Sequence, residues 1–155
     1  MADKQQKRNN GDSKMIKQWL FGVIFSCWVL FGMSAHAQME CGERMQIEIN
    51  NKIYSVVLEN NMTADALRRR LSMTLNMEDL NGNEKYTYLT EPLPEMPQPM
   101  DLLQVGDVLL WGNDCLVIFY NNASTIYQYT KIGHIENAED LAITLGHGSV
   151  NATWF

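Results

Sequence analysis

The pattern of apolar and polar residues predicts a β-hairpin near residue 50. Apolar and polar residues alternate strictly over 45–49, and a second, mostly apolar run covers 53–58. Asn50 and Asn51 separate the two runs, and asparagine tolerates the positive φ angles that a tight hairpin turn requires. These residues therefore predict two antiparallel strands joined by a two-residue turn.

Two short helices are predicted from capping residues and charge placement. Thr63 is the predicted N-cap of the first helix, with Asp65 in its first turn and the basic residues 68–70 at its end, as the helix dipole favours. Asn137 is the predicted N-cap of the second helix, and Gly146 is its predicted stop.

Six further segments have the composition of strands. They cover residues 73–77, 85–89, 108–111, 115–120, 125–132 and 149–155. The continuous apolar runs of 108–111 and 115–120 are typical of strands buried on both faces. All four prolines lie within 91–100, which predicts a surface loop without regular structure. About eight strands and two short helices predict an all-β fold, a closed barrel with a helix over each open end.

The first 37 residues have the pattern of a signal peptide. Basic residues in 1–17 precede an apolar run over 19–33, and the segment ends in the A-x-A motif of residues 35–37. The apolar run is shorter than the roughly twenty residues of a membrane-spanning helix. We expect cleavage after Ala37 and a secreted or periplasmic product without a stable membrane span; an uncleaved anchor is the alternative. Met15 is a second candidate for the translation start.

The charge balance excludes one class of partner. The chain has 12 basic and 18 acidic residues, a net charge of -6 and an isoelectric point near 5.0. Nucleic-acid binding depends on a surplus of basic side chains that contact phosphates, so we expect no nucleic-acid partner. Removal of residues 1–37 makes the chain more acidic still, because that segment carries several lysines.

Residues 38–44 are expected to be a flexible segment before a single domain over 45–155.

Metal and nucleophile chemistry find little support in the sequence. His134, His147, Cys41 and Cys115 show no metal-ligand spacing, so we expect no metal and no cofactor. The acidic stretch 78–84 lacks the EF-hand pattern and predicts a hairpin turn with solvated charges, with an irregular cation site as the alternative. Because disulfides persist in exported proteins, Cys41 and Cys115 are a candidate pair, although Cys115 equally suits a buried apolar position.

Aromatic residues on the predicted strands are the remaining candidates for function. They are Tyr86, Tyr88, Trp111, Tyr120, Tyr127 and Tyr129. Most of them are expected in the barrel core or wall, but tyrosine is also favoured at recognition surfaces. A shallow ligand groove is therefore predicted on the barrel face. Its candidate residues are Met77, Asp79, Lys85, Tyr86, Tyr88, Tyr120, Tyr127 and Tyr129.

Several stretches resemble a family of uncharacterised bacterial cyclophilin-like domains. They are residues 75–86, 89–94, 106–120 and 127–133, and the resemblance extends over 45–155. It implies a closed cyclophilin-like β-barrel. True cyclophilins place a catalytic arginine on the strand after the first helix, whereas the last arginine here, Arg70, belongs to the helix and Lys85 is the nearest later cation.

The resemblance thus implies a fold without its central catalytic group. We expect a peptide- or small-ligand-binding module with no catalytic residue. The alternatives are a weak or atypical peptidyl-prolyl cis-trans isomerase that uses aromatic residues without the arginine, and an accessory subunit of a redox or envelope complex.

Overall fold

The structure, a computed structural model, describes residues 42–155. The expected signal peptide, its cleavage site after Ala37, the alternative start at Met15 and the candidate disulfide partner Cys41 lie outside the described residues. Within that range, no helix is long and apolar enough to cross a bilayer.

Strands dominate the described part of the chain. They are β1 (Arg44–Ile49), β2 (Lys52–Leu58), β3 (Met73–Leu80), β4 (Glu84–Tyr88), β5 (Gln98–Pro99), β6 (Leu102–Leu103), β7 (Asp107–Trp111), β8 (Cys115–Phe119), β9 (Ala123–Ser124), β10 (Gln128–Ile135) and β11 (Val150–Trp154). Helix α1 covers Met62–Arg68, and a 3-10 turn at Ala138–Asp140 leads into helix α2, Leu141–Leu145.

The long strands form a closed antiparallel barrel. Their order is β2-β1-β11-β3-β4-β8-β7-β10, and β10 pairs back onto β2 to complete the circle of eight. The first hairpin turns at Asn50 and Asn51, whose φ angles of 49° and 64° are those that the sequence predicts. The predicted fold class, an all-β closed barrel with two short helices in the described range, is confirmed.

The barrel wall separates two apolar clusters. The inner cluster fills the barrel with side chains such as Ile47, Leu110, Ile118 and Trp154. The outer cluster lies on the other side of β7, β8 and β10 and consists of Leu103, Leu109, Cys115, Val117, Phe119 and Tyr129. Strands β7 and β8 are therefore buried on both faces, as their continuous apolar sequence indicates.

The predicted cap of the first helix is wrong, whereas Asn137 and Gly146 stand at the predicted ends of the second helical segment. Helix α1 is capped by Asn61, whose side chain accepts hydrogen bonds from the backbone N–H groups of Thr63 and Ala64 at 3.1 and 2.9 Å. Thr63 is buried, and its hydroxyl donates to the carbonyl of Pro94 at 2.6 Å. Asn137 has a left-handed backbone and makes no side-chain capping bond. Local sequence offers several capping residues, and tertiary contacts decide which one is used.

The proline-rich loop and the bounds of β10 also differ from the prediction, and β3 extends to Leu80 rather than ending at Met77. The proline-rich segment contains the short strand β5, which pairs with Gln128 and Tyr129 of β10. A sheet edge tolerates Pro99, because its missing N–H is needed only in a central strand. Strand β10 begins three residues later than predicted and continues past Gly133 to Ile135. A β carbon at Gly133 would lie 2.4 Å from the carbonyl oxygen of Val57, so only glycine permits this close pairing with β2.

Candidate functional site

The structure divides the predicted groove residues between two faces of the barrel wall. Successive side chains of a strand point to opposite faces, so neighbours in sequence separate in space. The inner group, which contributes to the core or to the polar cluster at its edge, is Met77, Asp79, Lys85 and Tyr120. The outer group, which lines a cavity on the outer face of the wall, is Tyr86, Tyr88, Tyr127 and Tyr129.

The inner group contains a polar cluster around a fully buried lysine. Lys85 Nζ donates to Asp79 Oδ2 at 2.6 Å and to the backbone carbonyls of Gly146 and Gly148 at 2.9 and 2.6 Å. Tyr120 donates its hydroxyl proton to the same Asp79 oxygen at 2.6 Å. An ammonium group has three protons to donate, so Lys85 is saturated.

The electrostatics of this cluster are those of a stable ion pair. The hydrogen bond from Lys85, followed by that from Tyr120, lowers the pKa of the Asp79 carboxyl. Burial raises the pKa of the Tyr120 hydroxyl to about 12, helped by its hydrogen bond to Asp79. The cluster joins β3, β4 and β8 to the loop after α2, which indicates a structural role.

The outer group lines a cavity of about 370 Å³. Its walls come from the β3–β4 turn and from β4, β7, β8 and the start of β10. The lining residues are Leu80, Asn81, Glu84, Tyr86, Tyr88, Trp111, Cys115, Val117, Tyr127 and Tyr129. This volume lies in the range of small-ligand pockets, which are typically apolar and aromatic with a few polar groups.

The aromatic walls of the cavity are formed by edge-to-face pairs. The ring centroids of Tyr86 and Tyr88 lie 6.0 Å apart, and those of Trp111 and Tyr127 lie 6.3 Å apart. Tyr88, Trp111 and Tyr127 are about half exposed. Edge-to-face packing leaves ring faces free of a stacked neighbour, so these rings can still receive a ligand.

Glu84 supplies the one carboxyl group among the residues that line the cavity. Only 8% of this residue is accessible to solvent, and burial raises the pKa of its carboxyl group. Its negative charge disfavours ionisation of the Tyr129 hydroxyl and the Cys115 thiol, which contributes to the raised pKa of both groups. A largely buried carboxyl group therefore lines an aromatic cavity.

Cys115 is a buried thiol on the cavity wall. Burial raises its pKa to about 11, so it is protonated at neutral pH and is a poor nucleophile. Within residues 42–155 it forms no disulfide. The pairing with Cys41 stays a prediction.

The acidic stretch 78–84 contains the predicted hairpin turn, between the antiparallel strands β3 and β4, but two of its three charges are not solvated as the sequence suggested. Asp79 and Glu84 are largely withdrawn from solvent, and the Glu78 carboxylate accepts a hydrogen bond from the Tyr86 hydroxyl at 2.9 Å. No group of three or more metal-ligating side chains occurs in the part of the chain that the structure describes.

Sequence reasoning missed part of the cavity lining. Leu80, Asn81, Glu84, Cys115 and Val117 line the cavity but were absent from the predicted groove, and Trp111 was noted only as an aromatic residue on a strand. The two-residue period was an available signal: Glu84 shares a strand face with Tyr86 and Tyr88. The neighbours of that face could not be derived, because they depend on the pairing of β4 with β8.

Comparisons with known proteins address the fold. The model of the Cyclophilin-like family matches residues 47–154. The solution structure of the hypothetical protein AF2241 from Archaeoglobus fulgidus is similar, with a TM-score of 0.56 and 15% sequence identity over 76% of this chain and 97% of that chain. No curated protein matches the sequence. At this identity the structural likeness concerns the fold alone.

Proposed function

Because the chain belongs to the Cyclophilin-like family, we propose that it is an exported binding domain whose outer cavity holds a peptide or a small ligand. The observation that carries this proposal is the cavity of about 370 Å³ lined by half-exposed aromatic rings. Aromatic side chains that are exposed in a concave site supply large contact areas at a small entropic cost, which suits ligand binding.

The alternative, a weak peptidyl-prolyl isomerase, has less support. A positive group near the prolyl nitrogen would help to weaken amide resonance, but no Lys, Arg or His is among the residues that line the cavity. Lys85, the sequence candidate for this role, is on the inner side and has its three protons engaged. The geometry therefore favours binding over isomerisation.

Export is the second component of the proposal. It rests on the basic start, the short apolar run and the A-x-A motif of the first 37 residues. N-terminal sequencing of protein recovered outside the cytoplasm should begin at Gln38. An intact N-terminus in a membrane fraction would contradict cleavage.

In the same preparation, thiol counting under denaturing, non-reducing conditions tests the Cys41–Cys115 bridge, since two free thiols per chain would exclude it.

A set of N-acetyl amino-acid N-methylamides tests binding, because each member presents one side chain between two peptide bonds. We expect at least one member to shift the amide NMR signals of residues 84–88, 111 and 127 in the purified protein. Tyr127→Ala should weaken that binding at least about fivefold through lost aromatic contact. Ile126→Ala is the matched control, because Ile126 is 94% exposed and does not line the cavity.

Two results would contradict the proposed function. The first is signal changes that fall only outside the cavity. The second is strong acceleration of isomerisation of a short Ala-Pro peptide in an exchange assay, which would favour the isomerase alternative.

A further inference from the structure

Glu84 differs from the other buried charged residues of the described range in having no partner. Lys85 makes three hydrogen bonds, and Asp107 accepts one from the backbone of Gln104 at 2.8 Å and lies 3.3 Å from His134 Nδ1. No hydrogen bond or ion pair joins the Glu84 carboxylate to any residue in 42–155. Only 8% of the residue is accessible to solvent, so an ionised Glu84 that no protein group balances is poorly solvated, which is costly to the fold.

The position of Glu84 shows which kind of group can balance its charge. Its carboxyl group lines the cavity, so a ligand in the cavity can reach it. A positively charged ligand would supply the missing counter-charge, whereas an anion would be repelled. No basic side chain is among the residues that line the cavity, so the protein does not supply that charge there itself.

The cavity walls favour the same kind of ligand. The faces of tyrosine and tryptophan rings attract cations, and the strength of this attraction increases as the site is removed from water. Tyr86, Tyr88, Trp111 and Tyr127 provide such rings in two edge-to-face pairs. Val117 and Leu80 add apolar surface suited to the alkyl chain of an amine.

We propose that the cavity binds an organic cation, an ammonium or guanidinium group on a short apolar chain. Glu84 is the counter-ion, and the aromatic rings surround the charged group. This inference rests on the proposed function and names the ligand class of that same cavity. The volume of about 370 Å³ accommodates a lysine or arginine side chain as well as a free alkylamine, and both present the same chemistry.

The experiment compares three probes of similar size and different charge. Butylammonium, butan-1-ol and butanoate are titrated into the purified protein, and the amide NMR shifts of residues 84–88, 111 and 127 report on the cavity. We expect butylammonium to bind at least about tenfold more tightly than butan-1-ol, as a charge-assisted hydrogen bond predicts, and butanoate not to bind. N-acetyl-lysine N-methylamide, compared with butylammonium, distinguishes a peptide side chain from a free amine as the source.

Glu84→Gln tests the counter-ion with little change in shape. We expect it to reduce butylammonium affinity about tenfold and butan-1-ol affinity much less, because the alcohol carries no charge for Glu84 to balance. Glu78→Gln is the matched control, because Glu78 belongs to the adjacent strand β3 and pairs with Tyr86 but does not line the cavity. It should change butylammonium affinity less than twofold. Thermal unfolding of each variant verifies that it is folded.

The outcomes separate this inference from the proposed function. Equal affinity for butylammonium and butan-1-ol, or no effect of Glu84→Gln, would overturn the cation proposal while leaving the cavity as a ligand site. The cation proposal would also be overturned if apolar or aromatic methylamides bind in the cavity and the lysine and arginine methylamides do not. Failure of butylammonium, butan-1-ol and every methylamide to bind in the cavity would contradict both.

Discussion

Glu84 and Lys85 are neighbours on strand β4, and both are withdrawn from solvent, yet their surroundings are opposite. Lys85 points to the inner side, where Asp79 and two backbone carbonyls accept all its protons. Glu84 points to the outer side, where it lines the aromatic cavity and no partner within residues 42–155 balances its charge. The protein thus satisfies one buried charge completely and leaves the next one open.

On a single strand, this difference distinguishes a structural charge, Lys85, from the charge that our proposal assigns to ligand binding, Glu84. A charge that is fully paired contributes to the fold, and its loss leaves its partners unsatisfied. A buried charge without a partner lowers the stability of the fold. Proteins retain such a group where it interacts with a ligand or substrate. The inner cluster and the outer cavity should therefore respond to mutation in different ways.

The largest effect is expected from Lys85→Met. Removal of the ammonium leaves Asp79 and two carbonyls without a donor, and partial exposure of Asp79 moderates the cost. We expect a loss of about 2–4 kcal/mol in the free energy of unfolding, measured by urea denaturation. Lys131→Met is the control: its ion pair with Glu59 is exposed and should contribute about 0–1 kcal/mol. Similar small losses in both variants would contradict a structural inner cluster.

Tyr120→Phe should have the next largest effect. The variant loses the 2.6 Å hydrogen bond to Asp79 but keeps the buried ring. We expect a loss of about 1–2 kcal/mol in unfolding free energy, since the acceptor is charged. Tyr86→Phe is the control, because its hydrogen bond to Glu78 lies at the surface and should contribute about 0.5 kcal/mol or less. A larger loss in Tyr86→Phe would contradict the distinction between the two faces.

The smallest expected effect, the pH dependence of stability, has opposite signs on the two faces. Burial raises the pKa of Glu84, so the folded state holds its proton more firmly than the unfolded state. Stability from this group is therefore lost as pH rises from the unfolded pKa, about 4.3, through the higher folded pKa. The free energy of unfolding of Glu84→Gln should therefore increase relative to that of the wild type as the pH rises through this range.

Asp79→Asn provides the matched comparison of opposite sign. Hydrogen bonds from Lys85 and Tyr120 lower the pKa of Asp79, so its contribution is present above the unfolded pKa, about 3.9, and is lost as pH falls through the folded pKa. The deficit of Asp79→Asn should shrink towards acid pH. Urea denaturation across a pH series measures both variants, and the same slope for both would contradict the comparison.

The sequence allowed the fold to be predicted more completely than the candidate site. The Asn50–Asn51 turn and the continuous apolar runs of β7 and β8 are local signals, and the structure has the predicted elements there. The groove prediction placed Lys85 and Asp79 on one barrel face with Tyr86 and Tyr88. The wall of the barrel lies between the two groups.

What the sequence alone determined is the set of eight long strands that form the barrel, since the two-residue period and the turn residues act over a few neighbouring positions. Only the tertiary structure decided which residues form the cavity and which charges have partners. Pairing of β4 with β8 brings Glu84 and Tyr86 beside Cys115 and Val117, and closure of the barrel brings Lys85 to Gly146 and Gly148. Contacts between residues so distant in the chain depend on strand order and register, which local patterns do not contain.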